Sequence, residues 1–160
     1  MTPKRLMLVV AALAGVAAMI IPTAAADPPI RFPLPSSDFT GAYCADFDVT
    51  IHITANKEVA TVFSNGAAIV TGTFKVELTG NGKTISVNAS GPVFFSSDGT
   101  TAVLRGNSLV FGEAGDLGPG SPPTLQLVSG VVTLTAADGS ITGVTRTGET
   151  RDLCAILADP

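Results

Sequence analysis

The chain has 160 residues, a formal charge of -4, 46% hydrophobic residues and only 14% charged ones. That length allows one domain with a core large enough to fold unaided. Nine Lys and Arg against thirteen Asp and Glu lack the basic footprint that nucleic acid binding requires, and one His with two Cys is too few for a His- or Cys-rich metal site.

The first segment reads as an export signal. Lys4 and Arg5 precede an uncharged run from Leu6 to Ile21, followed by Pro22 and Thr23-Ala24-Ala25-Ala26. This is the charged, apolar and small-residue order of a secretory signal peptide, with cleavage expected between Ala26 and Asp27. An uncleaved membrane anchor is the alternative, and the Pro22 helix breaker and the Ala24-x-Ala26 pattern weigh against it. No Cys follows closely enough for a lipid-modified N-terminus. Without residues 1–26 the hydrophobic fraction falls to about 40% and the charge goes from -4 to -6, because Lys4 and Arg5 are lost. Every Met lies in the signal and Trp is absent, so the remaining core is aliphatic, with Phe and Tyr43.

Residues 27–38 form a Pro-rich arm, with Pro28, Pro29, Pro33 and Pro35, which favours extended backbone over helix. It either lies along the domain through Ile30, Phe32 and Leu34 or hangs free as a spacer. From residue 39 to 160 the pattern is that of one β domain. In Tyr43 to Thr54 the odd positions Tyr43, Ala45, Phe47, Val49, Ile51 and Ile53 oppose Asp46, Asp48, Thr50, His52 and Thr54, so the spacing predicts one long strand. A strand is predicted over Glu58 to Phe63, and Ala68 to Thr79 alternates again. Gly80-Asn81-Gly82-Lys83 predicts a hairpin, since Asn-Gly accepts the positive φ of a type I′ turn. The return strand runs from Thr84 to Phe95, with Gly91-Pro92 as a bulge or strand edge.

Further strands are expected at Thr100 to Arg105 and Ser108 to Phe111, with turns at Ser96-Ser97-Asp98-Gly99 and Gly106-Asn107. Leu125 to Thr135 is another, whose inward register switches from Leu125 and Leu127 to Val132 and Leu134, as a bulge at Ser129-Gly130 would produce. Ala137-Asp138-Gly139-Ser140 turns it into Ile141 to Arg146. Asp152 to Leu157 reads as a short helical turn capped by Asp152 or as a final strand. The sum is an all-β fold, about eight antiparallel strands in a meander that closes as a barrel or folds as a sandwich.

Cys44 and Cys154, 110 residues apart, are the expected disulfide in an oxidising compartment. A redox-active pair is the alternative, but the C-x-x-C spacing is missing.

Residues able to do chemistry are few. His52 is the only imidazole. Asp48, four residues earlier, is about 13 Å away along an extended strand, too far for a triad contact, although a cross-strand carboxylate or Ser remains possible. Asp46 and Asp48 share a strand face about 7 Å apart, a spacing that any D-x-D gives. The segment from Gly112 to Pro123 is long for a connection in this chain and carries Glu113, Asp116 and an exposed-looking Leu117. Asn88-Ala89-Ser90 matches the glycosylation acceptor pattern inside a predicted strand. No catalytic residue, cofactor or metal ligand is assigned.

The Ala-rich leader ending in Ala-Ala-Ala-Asp-Pro-Pro, the Cys44-x-Asp46-Phe47-Asp48-Val49 start, Ser90-Gly91-Pro92-Val93-Phe94-Phe95 and the Arg151-Asp152-Leu153-Cys154-Ala155-Ile156-Leu157 end resemble a group of small secreted β-rich proteins of actinobacteria. The resemblance implies export and a paired Cys framework, and the group brings no established activity. The expected function is therefore a secreted or cell-envelope module. It binds either an apolar small molecule, inside a barrel with Gly72, Ala89 and Gly91 as small inward residues, or an envelope component. A purely structural or surface-interaction protein is the alternative, and an enzyme is the least favoured class.

Overall fold

In the computed structural model, which describes residues 27–159, eleven strands form two antiparallel sheets. The expected signal peptide, residues 1–26, lies outside the described residues. The strands are β1 (Ile30–Pro33), β2 (Phe39–Gly41), β3 (Val49–Asn56), β4 (Val59–Val62), β5 (Ala68–Thr71), β6 (Phe74–Gly80), β7 (Lys83–Asn88), β8 (Val93–Phe95), β9 (Thr101–Gly112), β10 (Thr124–Ala137) and β11 (Ser140–Asp152). The helix α1 (Leu153–Ala158) ends the chain. A large sheet has the order β1-β4-β5-β8-β9-β10-β11 and a small one β2-β3-β6-β7. Neither closes into a ring. Among the described residues no helix is long and apolar enough to cross a membrane.

The two orders become one when β1 with β2, β3 with β4, β5 with β6 and β7 with β8 are taken as single strands bent at a corner. Both sheets are then parts of the same up-and-down meander, and the bends are where strands pass from one sheet to the other. Two corners split expected strands, β1 and β2 are added at the start, and the two strands expected between Thr100 and Phe111 are one, so eleven strands replace the expected eight. Ala68 to Thr79 is not continuous, because it breaks at Gly72, whose φ is +148° and where a Cβ would stand 2.2 Å from Lys57 O. Thr84 to Phe95 breaks between Asn88 and Val93 in the same way. The arm is not a free spacer over its whole length, since β1 pairs with β4 from Ile30↔Val62 to Pro33↔Val59.

Other expectations are also corrected. The strand predicted from Tyr43 begins only at Val49, because Tyr43 and Cys44 are both buried where the chain bends toward the disulfide. Gly106-Asn107 is not a turn, for β9 runs through it and pairs with β10 without interruption from Thr124↔Gly112 to Thr135↔Thr101. No bulge occurs at Ser129-Gly130, and the shift lies at Thr135/Ala136 in the β10–β11 ladder. The apparent switch of register has a different cause. Odd positions Leu109, Phe111, Leu125 and Leu127 pack into a core against the small sheet, with Val49, Ile51, Val76, Leu78, Leu153 and Leu157. Even positions Leu104, Val110, Val128, Val132 and Leu134 pack into a second core with Leu117. Alternation is intact, and its two phases feed two cores on opposite faces.

Gly106, Gly130 and Gly148 occupy one cross-strand row of β9, β10 and β11. A Cβ on Gly130 would lie 2.0 Å from Thr147 O, so the backbones approach there more closely than any side chain permits. The hairpin turns follow the sequence reading, with Asn81 at φ +50° and Gly82 at +75°, and Asp138 at +51° and Gly139 at +76°. Asp152 caps α1 by accepting the Ala155 N–H over 3.1 Å. Cys44 and Cys154 are joined by a disulfide, tying the start of the domain to α1.

Candidate functional site

The outer face of the small sheet is where polar groups capable of chemistry come together. It carries Thr50 and His52 of β3, Glu77 of β6 and Ser86 of β7, and the ladder register sets His52 opposite Glu77 and Glu77 opposite Ser86. The partner of His52 is Asp38, not Asp48. Phe39↔Ile51 and Thr40↔Thr50 fix the pairing of β2 with β3, and one step back along that register brings Asp38 opposite His52. The His52 Nδ1–H donates to Asp38 Oδ2 over 2.7 Å, while Asp38 Oδ1 accepts the Ile53 N–H over 3.0 Å.

This geometry sets the electrostatics. The hydrogen bond to Asp38, then the carboxylate's charge and more weakly that of Glu77, raise the His52 pKa above its ordinary 6.5. The same hydrogen bond and that from Ile53 hold Asp38 below 3.8. With Nδ1 engaged by a carboxylate, Nε2 is the nitrogen left to exchange protons, the arrangement that a general base uses. Two elements of catalysis are missing. No hydroxyl bonds to the imidazole among the described residues, and the side chains of His52 and Asp38 are 55% and 54% exposed on an open face instead of sunk in a cleft.

Asp46 and Asp48 are exposed in the bend before β3 and do not share a strand face. No group of three His, Cys, Asp or Glu among the described residues is placed to hold a metal ion. Asn88 ends β7 and its Oδ1 accepts from Ser90 N–H and Ser90 Oγ, over 3.3 and 2.5 Å, so the acceptor tripeptide is folded on itself.

The segment from Gly112 to Pro123 also differs from expectation. Leu117 is 7% exposed and belongs to the second core. The loop binds itself through Gly115 N–H to Ser121 O (2.9 Å), Leu117 N–H to Ser121 Oγ (3.2 Å) and Glu113 N–H to Asp116 Oδ2 (2.8 Å). Glu113 Oε1 accepts the Ala42 N–H over 3.3 Å. It is a compact lid that packs Leu117 onto Val110, Val128 and Val132.

The small residues expected to line a ligand chamber do other work. Gly72 approaches the Lys57 backbone, Gly91 the carbonyls of Arg105 and Asn107, and Ala89 is part of the core between the sheets.

No family model, no curated protein and no solved structure matches this chain.

Comparison of the two outer sheet faces supplies what single residues do not. Thr40, Thr50, Thr79 and Thr84 form one cross-strand row over all four strands of the small sheet. Their hydroxyls bond in pairs, Thr40 to Thr50 over 3.0 Å and Thr79 to Thr84 over 2.8 Å. On the large sheet Thr133 opposes Thr145, and Thr101 opposes Thr135. The number of hydroxyls is a matter of composition, whereas their alignment into rows depends on register between strands.

Proposed function

We propose that the chain is an exported, non-enzymatic module that binds a hydroxyl-rich polymer of the cell envelope through its outer sheet faces. The observation that carries this reading is the alignment of threonines into cross-strand rows where a soluble domain ordinarily carries charge. Such rows offer donors and acceptors at the spacing of adjacent strands, about 4.8 Å, to a partner that is itself a regular array of hydroxyls. The leader sequence and the disulfide are compatible with work outside the cytoplasm. The reading takes the two sheets as an open sandwich, not a ligand-holding barrel, because Gly72 and Gly91 serve close backbone contact and not a chamber. It sets the Asp38–His52 pair outside catalysis, because that pair lies on an open face.

Co-sedimentation of the secreted protein with insoluble envelope polysaccharide from its own host tests the reading. Recovery in the pellet, reduced by competing soluble polysaccharide, is expected. Protein that stays in the supernatant at every salt concentration would return the assignment to a purely structural role.

A further inference from the structure

The large sheet has a stretch that the small sheet leaves uncovered, on the side that further along β9 and β10 carries Leu109 and Leu127 into the first core. One unbroken register row crosses its seven strands from Arg31 through Thr61, Ile69, Phe94 and Val103 to Thr133 and Thr145. The adjacent row holds Arg105, Val131 and Thr147. Residues opposite one another in a ladder point to the same side. The alternate positions Ala60, Val62, Ala68, Val70 and Ala102 are buried, which leaves these two rows turned to solvent at this end of the sheet. Ile69, Phe94, Val103 and Val131 belong to neither core, and Val131 is 37% exposed.

Two properties of this face select a partner. Its two rows contain two arginines and no Asp or Glu, and the next row on the same side, Asn107, Ser129 and Glu149, adds one exposed carboxylate. They also bring together an aromatic ring, an arginine and aliphatic side chains, with the Arg105 guanidinium 5.5 Å from the centroid of Phe94. Aromatic and Arg enrichment with loss of acids is the composition of binding surfaces. A second copy docking by the same two rows would bring four guanidiniums together, with only the Glu149 carboxylates of the next row to offset them. A lipid surface would require projecting apolar groups, yet Arg105 lies over Phe94. What fits is a polymer with hydroxyls for the threonines, C–H faces for the apolar centre and anionic groups for the arginines, whose planar forks match carboxylate or phosphate.

We propose that this uncovered stretch of the large sheet binds an anionic polysaccharide, with Arg31 and Arg105 holding its acidic groups. This rests on the polymer-binding reading above and adds the charge of the polymer and the face that takes it. Arg31 and Arg105 stand four strands apart, about 20 Å, so a chain reaches both and a single sugar reaches one.

Affinity electrophoresis of the secreted protein through gels containing alginate, phosphomannan or neutral dextran tests it. Retardation by alginate indicates carboxylate recognition and retardation by phosphomannan indicates phosphate recognition; either supports the proposal, and dextran is expected to have little effect. Arg105→Glu and, separately, Arg31→Glu should each weaken retardation at least tenfold. Lys57→Glu makes the same change of net charge in the bend between β3 and β4, away from both threonine rows, and should leave it unchanged. Arg31 does not stack on a ring, so its variant stays informative if Arg105→Glu lowers the melting temperature. Retardation by neither anionic polymer, Arg31→Glu migrating as the parent does, or an equal loss in Lys57→Glu would each overturn the proposal. Envelope co-sedimentation that survives Arg31→Glu with Arg105→Glu would sink it while leaving the module reading intact.

Discussion

The core between the sheets and the core under the loop share strands β9 and β10 but are closed by different means. The first gathers Ile51, Leu78, Leu125, Leu153 and Leu157 with three rings in contact, Phe111 meeting Tyr43 edge to face at 5.2 Å and Phe39 at a tilt at 6.1 Å. It is shut by the disulfide and by α1, whose last carbonyls are gripped by the β6–β7 turn, with Lys83 Nζ donating to Ile156 O over 3.0 Å and Asn81 Nδ2 to Leu157 O over 3.4 Å. The second has only Val110, Val128 and Val132 at its centre with Leu117 as its cover. One face of the same ladder is therefore sealed covalently and the other by a loop. Local opening is expected to be easier on the second, since few buried contacts and no cross-link hold it.

The largest effect should come from the covalent closure. Replacing Cys44 and Cys154 together by Ser frees a 110-residue loop and should cost about 4 kcal/mol in urea unfolding. A loss below about 1 kcal/mol would mean that the helix and turn already close that core without the bond. Gly130→Ala comes next. A Cβ there lies 2.0 Å from Thr147 O, and the clash falls on the glycine row that both cores share, so about 3 kcal/mol is expected. A melting temperature equal to the parent's would show that the β10 and β11 backbones separate at little cost.

Leu117→Ala removes the cover of the second core and should cost about 2 kcal/mol. Its signature is spatial: hydrogen exchange should quicken from residue 113 to 123 while β3 and β6 keep their protection. Equal acceleration in β3 and β6 would show that the two cores open as one. Lys83→Met tests the opposite side and should cost about 1 kcal/mol, with fraying confined to α1, because the ammonium satisfies carbonyls at the helix's negative end.

What the sequence made legible divides along similar lines. Local chemistry was readable: the Asn81-Gly82 and Asp138-Gly139 turns need positive φ, the two Cys have only each other, and period-two alternation marks strands. The corners were not, because Ala68 to Thr79 keeps its alternation through Gly72 while the chain passes to the other sheet. The two phases of β10 looked like a bulge because a strand buried on both faces in different stretches gives the same pattern as a register slip. Leu117 looked exposed because loop composition says nothing about what the loop covers. The Asp38–His52 contact depends on the β2–β3 register, which pattern within one strand does not contain. The threonine rows were visible as composition and invisible as geometry for the same reason.

The smallest expected effect concerns the outside of the small sheet, which helps close the first core. Asp38 precedes β2 in the segment that crosses from one sheet to the other, and its bonds to His52 and Ile53 fasten that crossing. Because His52 is the only histidine, its ring proton gives one unambiguous titration by NMR. The midpoint should lie above 6.5 and fall toward it in Asp38→Asn; a midpoint at or below 6.5 in the parent would mean that the pair is not formed in solution. The sign for stability follows. A raised His pKa contributes below 6.5 and is lost as pH rises through the folded value, while a lowered Asp pKa contributes above 3.8 and is lost as pH falls through its folded value. The pair thus acts most fully from about pH 4 to 6.5. Asp98, held at about 2 by Ser96 and then Thr100, loses its own contribution on the same acid limb, so the parent alone is not diagnostic. The difference between the parent and His52→Gln isolates the pair: it should be small, as for any exposed ion pair, and should vanish above the His52 midpoint. A difference that persists undiminished at pH 9 would assign the role of His52 to packing and not to charge.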